Sequence, residues 1–376
     1  MILAAAAALV LAGCSKNEIT ENPGRVPESI PIGFSNYVPR STDTKANSNY
    51  VAEGSALPTG TNGHFGVYAW AVSTTSTTPW TAGPFFSGTG TPAFMSNVDV
   101  TFGGDEATTD GTNNTYSPTR YWPAGDTPDG LSFIAYYPYN ATSPLGDGSF
   151  GAKAFTVAAA AADQIDFMVS DVVADQWYEH TNSTTYNGTV DLTFHHLLTK
   201  VRFYFVTDNS DAYTTVTLTN AQLQGIYKTN TLTTSYTPNT PATANGGTTG
   251  LNWSSSASDA DGFDVTINGT TPLSSNVVLS TTATACANGD VFLMVPQTIA
   301  ASQQKITLTW TVTTSGVTTT NVKTIDLNDI TAGGTHINWE NNKQVSYTIT
   351  IGPKPIRFTA TVDGWDTETT GSLTVN

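Results

Sequence analysis

Apolar and polar positions alternate with a period of two along most of the chain, and no stretch sustains the period of a long amphipathic helix. The densest apolar segment is Val190 to Val206, VDLTFHHLLTKVRFYFV. Val190, Leu192 and Phe194 fall on one side of an extended backbone and Asp191, Thr193 and His195 on the other, which predicts a half-buried strand. From Val201 the pattern tightens. Val201, Phe203 and Phe205 share one face, and Tyr204 and Val206 make the opposite face largely apolar, so a central strand covered on both sides is expected. His195 and His196 fall between the two strands, at an expected turn.

The same period marks the rest of the chain. Ile30, Ile32 and Phe34 alternate through SIPIGFSNYV, where Pro31 favours a sheet edge. HFGVYAW, FMSNVDVTF, LSFIAYYPYN and IDFMVSDVV follow, separated by Gly-, Pro- and Thr-rich loops. Ser73 to Gly90 and Gly103 to Pro118 read as surface excursions, and Ala158 to Ala162 as a single helical turn. Beyond the central segment, VTLTN, GFDVTIN, VFLMVP, KITLTWTV, KTIDL and VSYTITI read as strands. The expected fold is all-β, with two tandem antiparallel β-sandwiches over residues 41–189 and 190–355. A stiff break, Gly352-Pro353-Lys354-Pro355, precedes residues 356–376. There Ile356, Phe358, Ala360 and Val362 alternate with polar residues ahead of Trp365, and Leu373 and Val375 follow. This pair is either an edge of the second sandwich or a projecting segment that completes another molecule's sheet by strand addition.

Composition narrows the function. Only 12% of the 376 residues are charged, and the formal net charge of −16 sets the chain against phosphate backbones, so nucleic acid is not an expected partner. The N-terminus, MILAAAAALVLAGCSKNE, is too short to span a membrane and reads as the apolar region of an export signal. Its Leu11-Ala12-Gly13-Cys14 resembles a bacterial lipobox, which makes residues 1–14 a lipoprotein signal and Cys14 the lipid-bearing residue. The other cysteine, Cys286, then has no disulfide partner and reads as a structural thiol. Residues 15–40 form a polar tether and the first strand. Arg40, in an exposed, turn-prone stretch, is a candidate for proteolysis, with Arg25 and Lys45 as alternatives.

Enzymatic chemistry finds little support. The chain has no nucleophile elbow, phosphate-binding loop or His-Glu-x-x-His helix, and no cofactor or metal is expected. Adjacent histidines on a strand point to opposite faces, so His195 and His196 cannot share a metal. Asp259, Asp261 and Asp264, and Asp105, Glu106 and Asp110, read as solvated loop charges that lack the bidentate glutamate of an EF-hand. Trp80, Trp177 and Trp253 lie in polar stretches and would suit sugar stacking, so a glycan-binding surface lipoprotein is the rival reading.

The order and spacing of several segments carry a family resemblance. They are the lipobox, the first strand ending near Arg40, Phe65-Gly66-Val67-Tyr68-Ala69, Tyr121-Trp122-Pro123, Leu131-Ser132-Phe133 with Ala135 to Tyr139, Leu192 to Phe205, and Trp365. Together they resemble the fimbrillin-like subunits (type V pilins) of Bacteroidales. That resemblance implies two transthyretin-like sandwiches and export to the outer membrane as a lipid-anchored precursor. It also implies cleavage by an arginine-specific protease and assembly with other pilin subunits into an extracellular pilus that serves adhesion or biofilm formation. Carried over, it makes Ile30, Ile32 and Phe34 the strand to be displaced and Arg40 the cut. The donor strand would hold Ile356, Phe358, Ala360, Val362, Trp365, Leu373 and Val375, which favours a stalk role over a tip.

Overall fold

The computed structural model describes residues 31–38, 57–58, 63–72, 94–103, 114–122, 130–176, 188–238, 247–265, 277–281, 287–332, 334–352 and 356–365. Within them the chain is almost wholly extended. The strands of the first half are β1 (Gly33–Tyr37), β2 (His64–Val72), β3 (Met95–Thr101), β4 (Gly130–Tyr137), β5 (Gly151–Thr156), β6 (Met168–Ser170), β7 (Val173–Gln176) and β8 (Thr189–His196). Those of the second half are β9 (Thr199–Val206), β10 (Thr214–Pro238), β11 (Gly247–Trp253), β12 (Ser258–Asp264), β13 (Val277–Val278), β14 (Ala287–Met294), β15 (Lys305–Thr314), β16 (Val317–Asp326), β17 (Thr331–Ala332), β18 (Thr335–His336), β19 (Lys343–Thr350) and β20 (Arg357–Gly364). The expected helical turn is a short 3-10 turn at Ala161–Asp163.

The first sheet runs β1-β8-β6-β4-β2-β3, with β7 beside β4. It curls over on itself: Phe34 on β1 reaches the rings of Phe65 on β2 and Phe133 on β4, although three strands separate β1 from β2 in the sheet. That closure makes one core from Ile32, Phe34, Phe65, Val67, Phe133, Val190, Leu192 and Phe194. The opposite face of β2 and β4 sends Tyr68, Trp70, Ile134 and Tyr136 into a second core shared with the rest of the chain. β2, β4 and β6 are therefore covered on both faces, β6 through Met168 on one side and Val169 on the other. The sequence pattern had pointed to β9, which is central in its sheet, but its Arg202, Tyr204 and Val206 are half-exposed.

The second half packs a four-stranded sheet, β14-β9-β19-β20, against a larger one built on β10. Along one side of β10 lie β15 and then β5, and along the other β13, β12 and β11. VTLTN is thus only the start of a 25-residue strand. Its Thr- and Asn-rich continuation lacks the apolar density that would have marked it. β10 bends at irregularities near Leu218 and Leu223. Gly225 takes φ +70° there, and a side chain would meet the Gln303 carbonyl, so glycine is needed at that position.

Val190 to Val206 joins the two halves: β8 belongs to the first sheet and β9 to the four-stranded one, and Leu197 and Leu198, both buried, cross between them. Two pairings, β1 with β8 and β9 with β19, are parallel rather than antiparallel. β5, from the first half, pairs with β10 in the second.

Burial pushes the phenols of Tyr68 and Tyr137 up to about 12 and also raises Tyr136. The unfolded chain then loses these protons first, from about pH 10, while the folded chain holds them, so stability falls as pH rises from about 10 to about 12. Urea midpoints measured across that window should drop steadily. A flat profile would show that these hydroxyls ionise as easily in the fold as in water.

Candidate functional site

β1 is an edge strand whose ladder partner is β8, in register from Gly33 opposite Thr189 to Tyr37 opposite Thr193. Residues 114–121 close its other edge, and they do so mostly without a ladder. The Asn114 amide donates to the Phe34 carbonyl, and the Tyr116 hydroxyl donates to the Ile32 carbonyl at 2.8 Å. The Ile32 N–H donates to the Arg120 carbonyl at 2.9 Å, and Pro31 bridges Tyr121. The Asn36 carboxamide oxygen, buried, accepts from the Leu57 N–H at 2.7 Å.

Beneath this edge lies an aromatic nest. The Phe34 ring, fully buried, meets Phe65, Tyr116 and Phe133 edge-on at centroid distances of 6.1, 5.9 and 6.0 Å. Phe65 in turn meets Phe194, and Trp122 meets Phe133 while its indole N–H donates to the Gly188 carbonyl at the start of β8. Ile32 and Val38 are buried beside it. Each such side chain contributes roughly 1.5–3 kcal/mol by leaving water, so β1 is a plug held by apolar contact more than by backbone pairing. Its loss would leave an apolar trough and the unpaired edge of β8.

The far end of β8 carries the two histidines, which are in the strand and not at a turn. His195 faces outward and pairs with Asp171 at 2.9 Å. His196 faces inward, 1% exposed, pairs with buried Asp166 at 3.0 Å and stacks on Trp365 with ring centroids 4.1 Å apart. Lys200 on β9, also buried, donates to the Trp365 carbonyl at 3.4 Å. Trp365 is fully buried and follows directly on β20. The C-terminal strand is thus latched to the strand that pairs with β1.

Among the residues singled out by the sequence, Ile32 and Phe34 come together in the plug. Ala360, buried, and Val362, 39% exposed, stand on β20 with Phe358, and Ile356 packs at its start. β20 itself is paired with β19 over its whole length, from Thr350 opposite Arg357 to Lys343 opposite Gly364. Cys14, Arg25, Ile30, Arg40, Lys45, Leu373, Val375, Cys286, Trp80, Trp177, Asp105, Glu106 and Asp110 lie outside the described residues. Asp259 and Asp261 are not loop charges: both stand on β12 and pair with Lys228 at 3.6 and 3.0 Å. Sequence reasoning missed Asn114 and Tyr116, whose segment read as a loop, and Asp166. A tyrosine ahead of Ser117-Pro118 was the only available signal.

Two β cores, one closed by a plug strand and the other by a latched C-terminal strand, define an all-β protein of the sandwich class. The chain belongs to the fimbrillin-like family, whose model matches residues 44–365. It is 27% identical over 214 residues to the fimbrium subunit Fim1C of Phocaeicola vulgatus, a match spanning 53% of this chain and about half, 49%, of that relative. In fold it resembles a fimbrial protein from Bacteroides vulgatus, with a TM-score of 0.54 at 18% identity over 80% of this chain and 92% of that one. A more distant likeness, to a cell adhesion protein from Bacteroides uniformis, has a TM-score of 0.44 at 17% identity over 90% of this chain and all of the other.

Phe34→Ala should cost about 3–5 kcal/mol, because the rings around it cannot collapse into the space it leaves. Urea unfolding of the uncleaved protein measures this. A loss below about 1 kcal/mol would show that the plug is not what closes the first core.

Proposed function

We propose that this chain is a structural subunit of a cell-surface fimbria, exported as a lipoprotein on Cys14 and polymerised by strand exchange after proteolysis at Arg40. The single observation that supports this best is β1. Among the described residues it is the one strand of the first core whose removal by a cut just beyond it leaves every other ladder of that sheet intact. An arginine-specific protease would release residues 15–40 with the plug, and the membrane tether would go with them. The trough over Phe65 and Phe133 then takes a strand from a neighbouring subunit.

The donor comes from the C-terminal region. Because β20 is registered on β19 and latched by Trp365, Ile356, Phe358, Ala360 and Val362 stay with their own subunit as long as that pairing holds. Donation then falls to the chain after Trp365, where Leu373 and Val375 repeat the two-residue spacing of Ile32 and Phe34. A subunit with both a trough and a donor suits the stalk better than the tip. The protein is read as structural and not as an enzyme.

Fibres purified from cells should begin at Ser41 by N-terminal sequencing. A start at Val26 or Ala46 moves the cut, and a blocked, lipidated Cys14 in the polymer sinks the mechanism. Deleting residues 366–376 should abolish polymerisation and leave a monomer with an unchanged melting temperature. Polymers from that deletion, lost only when residues 356–376 are removed, would instead make β20 the donor.

A further inference from the structure

An open groove of about 330 Å³ lies far along the chain from the plug, where the end of β11 faces the segments Pro296–Thr298 and Asn338–Asn341. The indole of Trp253, half-buried, forms part of its wall, and Asn252, Thr298, Asn338, Glu340 and Asn341, all exposed, surround it. Trp253 is held in one orientation: its N–H donates inward to the Leu197 carbonyl at 2.7 Å, and Phe155 meets the ring edge-on at 6.1 Å. Asn338 uses its carboxamide oxygen on the Ile299 N–H at 3.1 Å, which leaves its NH₂ available to the groove.

The walls are braced from below. Asn230, 1% exposed, donates to the Ser254 carbonyl on one wall at 3.1 Å and to the Pro296 carbonyl on the other at 2.7 Å. Gln297 and Trp339 exchange backbone hydrogen bonds of 2.9 and 3.0 Å, fixing the two segments of the second wall to each other. A groove with rigid walls loses little entropy when it is filled.

We propose that this groove binds a neutral disaccharide unit. An immobile indole presents an apolar face to the C–H side of a pyranose ring, and amides with one carboxylate answer its hydroxyl donors and acceptors. Among the described residues the lining contains no Lys or Arg, so an acidic sugar would bring its carboxylate against Glu340 with no lining cation to balance it. The volume sits at the low end for ligand sites, which span about 300–1,000 Å³, and so fits one or two rings rather than a long chain. None of the residues that line the groove belongs to β1 or to the aromatic nest around Phe34, and the proposal does not depend on strand exchange.

Calorimetric titration of the full-length monomer with lactose, cellobiose, maltose and diacetylchitobiose tests it, with digalacturonate as the charged control. At least one neutral disaccharide should bind, digalacturonate should bind more weakly, and Trp253→Ala should abolish the heat. Trp253 also packs against the core, so Glu340→Gln and Asn341→Ala, both at exposed positions, serve as fold-neutral variants. Each should weaken binding about tenfold with an unchanged melting temperature. Binding of none of the four sugars, tighter binding of digalacturonate, or full affinity in both surface variants overturns the assignment.

Discussion

A strand at the margin of a sheet leaves half of its backbone groups unpaired, and the way each margin is closed decides what this protein can do. β16 is closed by chemistry that discourages company. It is largely exposed, and it lies beside β15 with Thr307, Thr311 and Thr313 opposite Thr324, Thr320 and Thr318, and carries Lys323. β20 is closed at its end by Trp365 and the buried His196, Asp166 and Lys200 around it. β1 is closed by a few hydrogen bonds from residues 114–121 along its free edge and, beneath it, by apolar contact through Phe34. A margin of that last kind can be vacated and refilled, because a foreign strand with apolar residues two apart restores both the ladder and the nest.

β8 ties two of these margins together. Val190, Leu192 and Phe194 face the plug, and two residues later His196 faces the latch. Leu197 and Leu198 then carry the chain straight into β9 of the other core. The densest apolar segment in the sequence is dense for that reason: it is buried against two cores in succession, with one crossing point and no loop of its own.

Much of this was legible from period-two alternation. The strands of the first sheet, the edge character of the Pro31 segment and the importance of Val190 to Val206 all follow from which residues alternate. What could not be read is what alternation does not encode. Pairing partners and parallel register depend on contacts far apart in sequence, so alternation shows neither the parallel ladder of β1 with β8 nor the pairing of β5 with β10. A Thr- and Asn-rich segment can be a long central strand when its faces are shared between several partners, as in the second half of β10. Asn114 and Tyr116 sat in a polar excursion because their role is to bond a backbone edge, which leaves no hydrophobic trace. Trp253 was noticed as an aromatic in polar company, and only the fold shows that Asn230 braces the walls beside it.

β10 has a mechanical meaning as well. β5, drawn from the first half of the chain, and β15, drawn from the second, lie end to end along one side of the same continuous strand. A pull between the two halves along that strand is therefore not borne by a flexible linker. It is borne as shear across rows of ladder hydrogen bonds that stand perpendicular to the strand and must give way together. Stretching such a molecule would meet a stiff, in-line element before any core began to open.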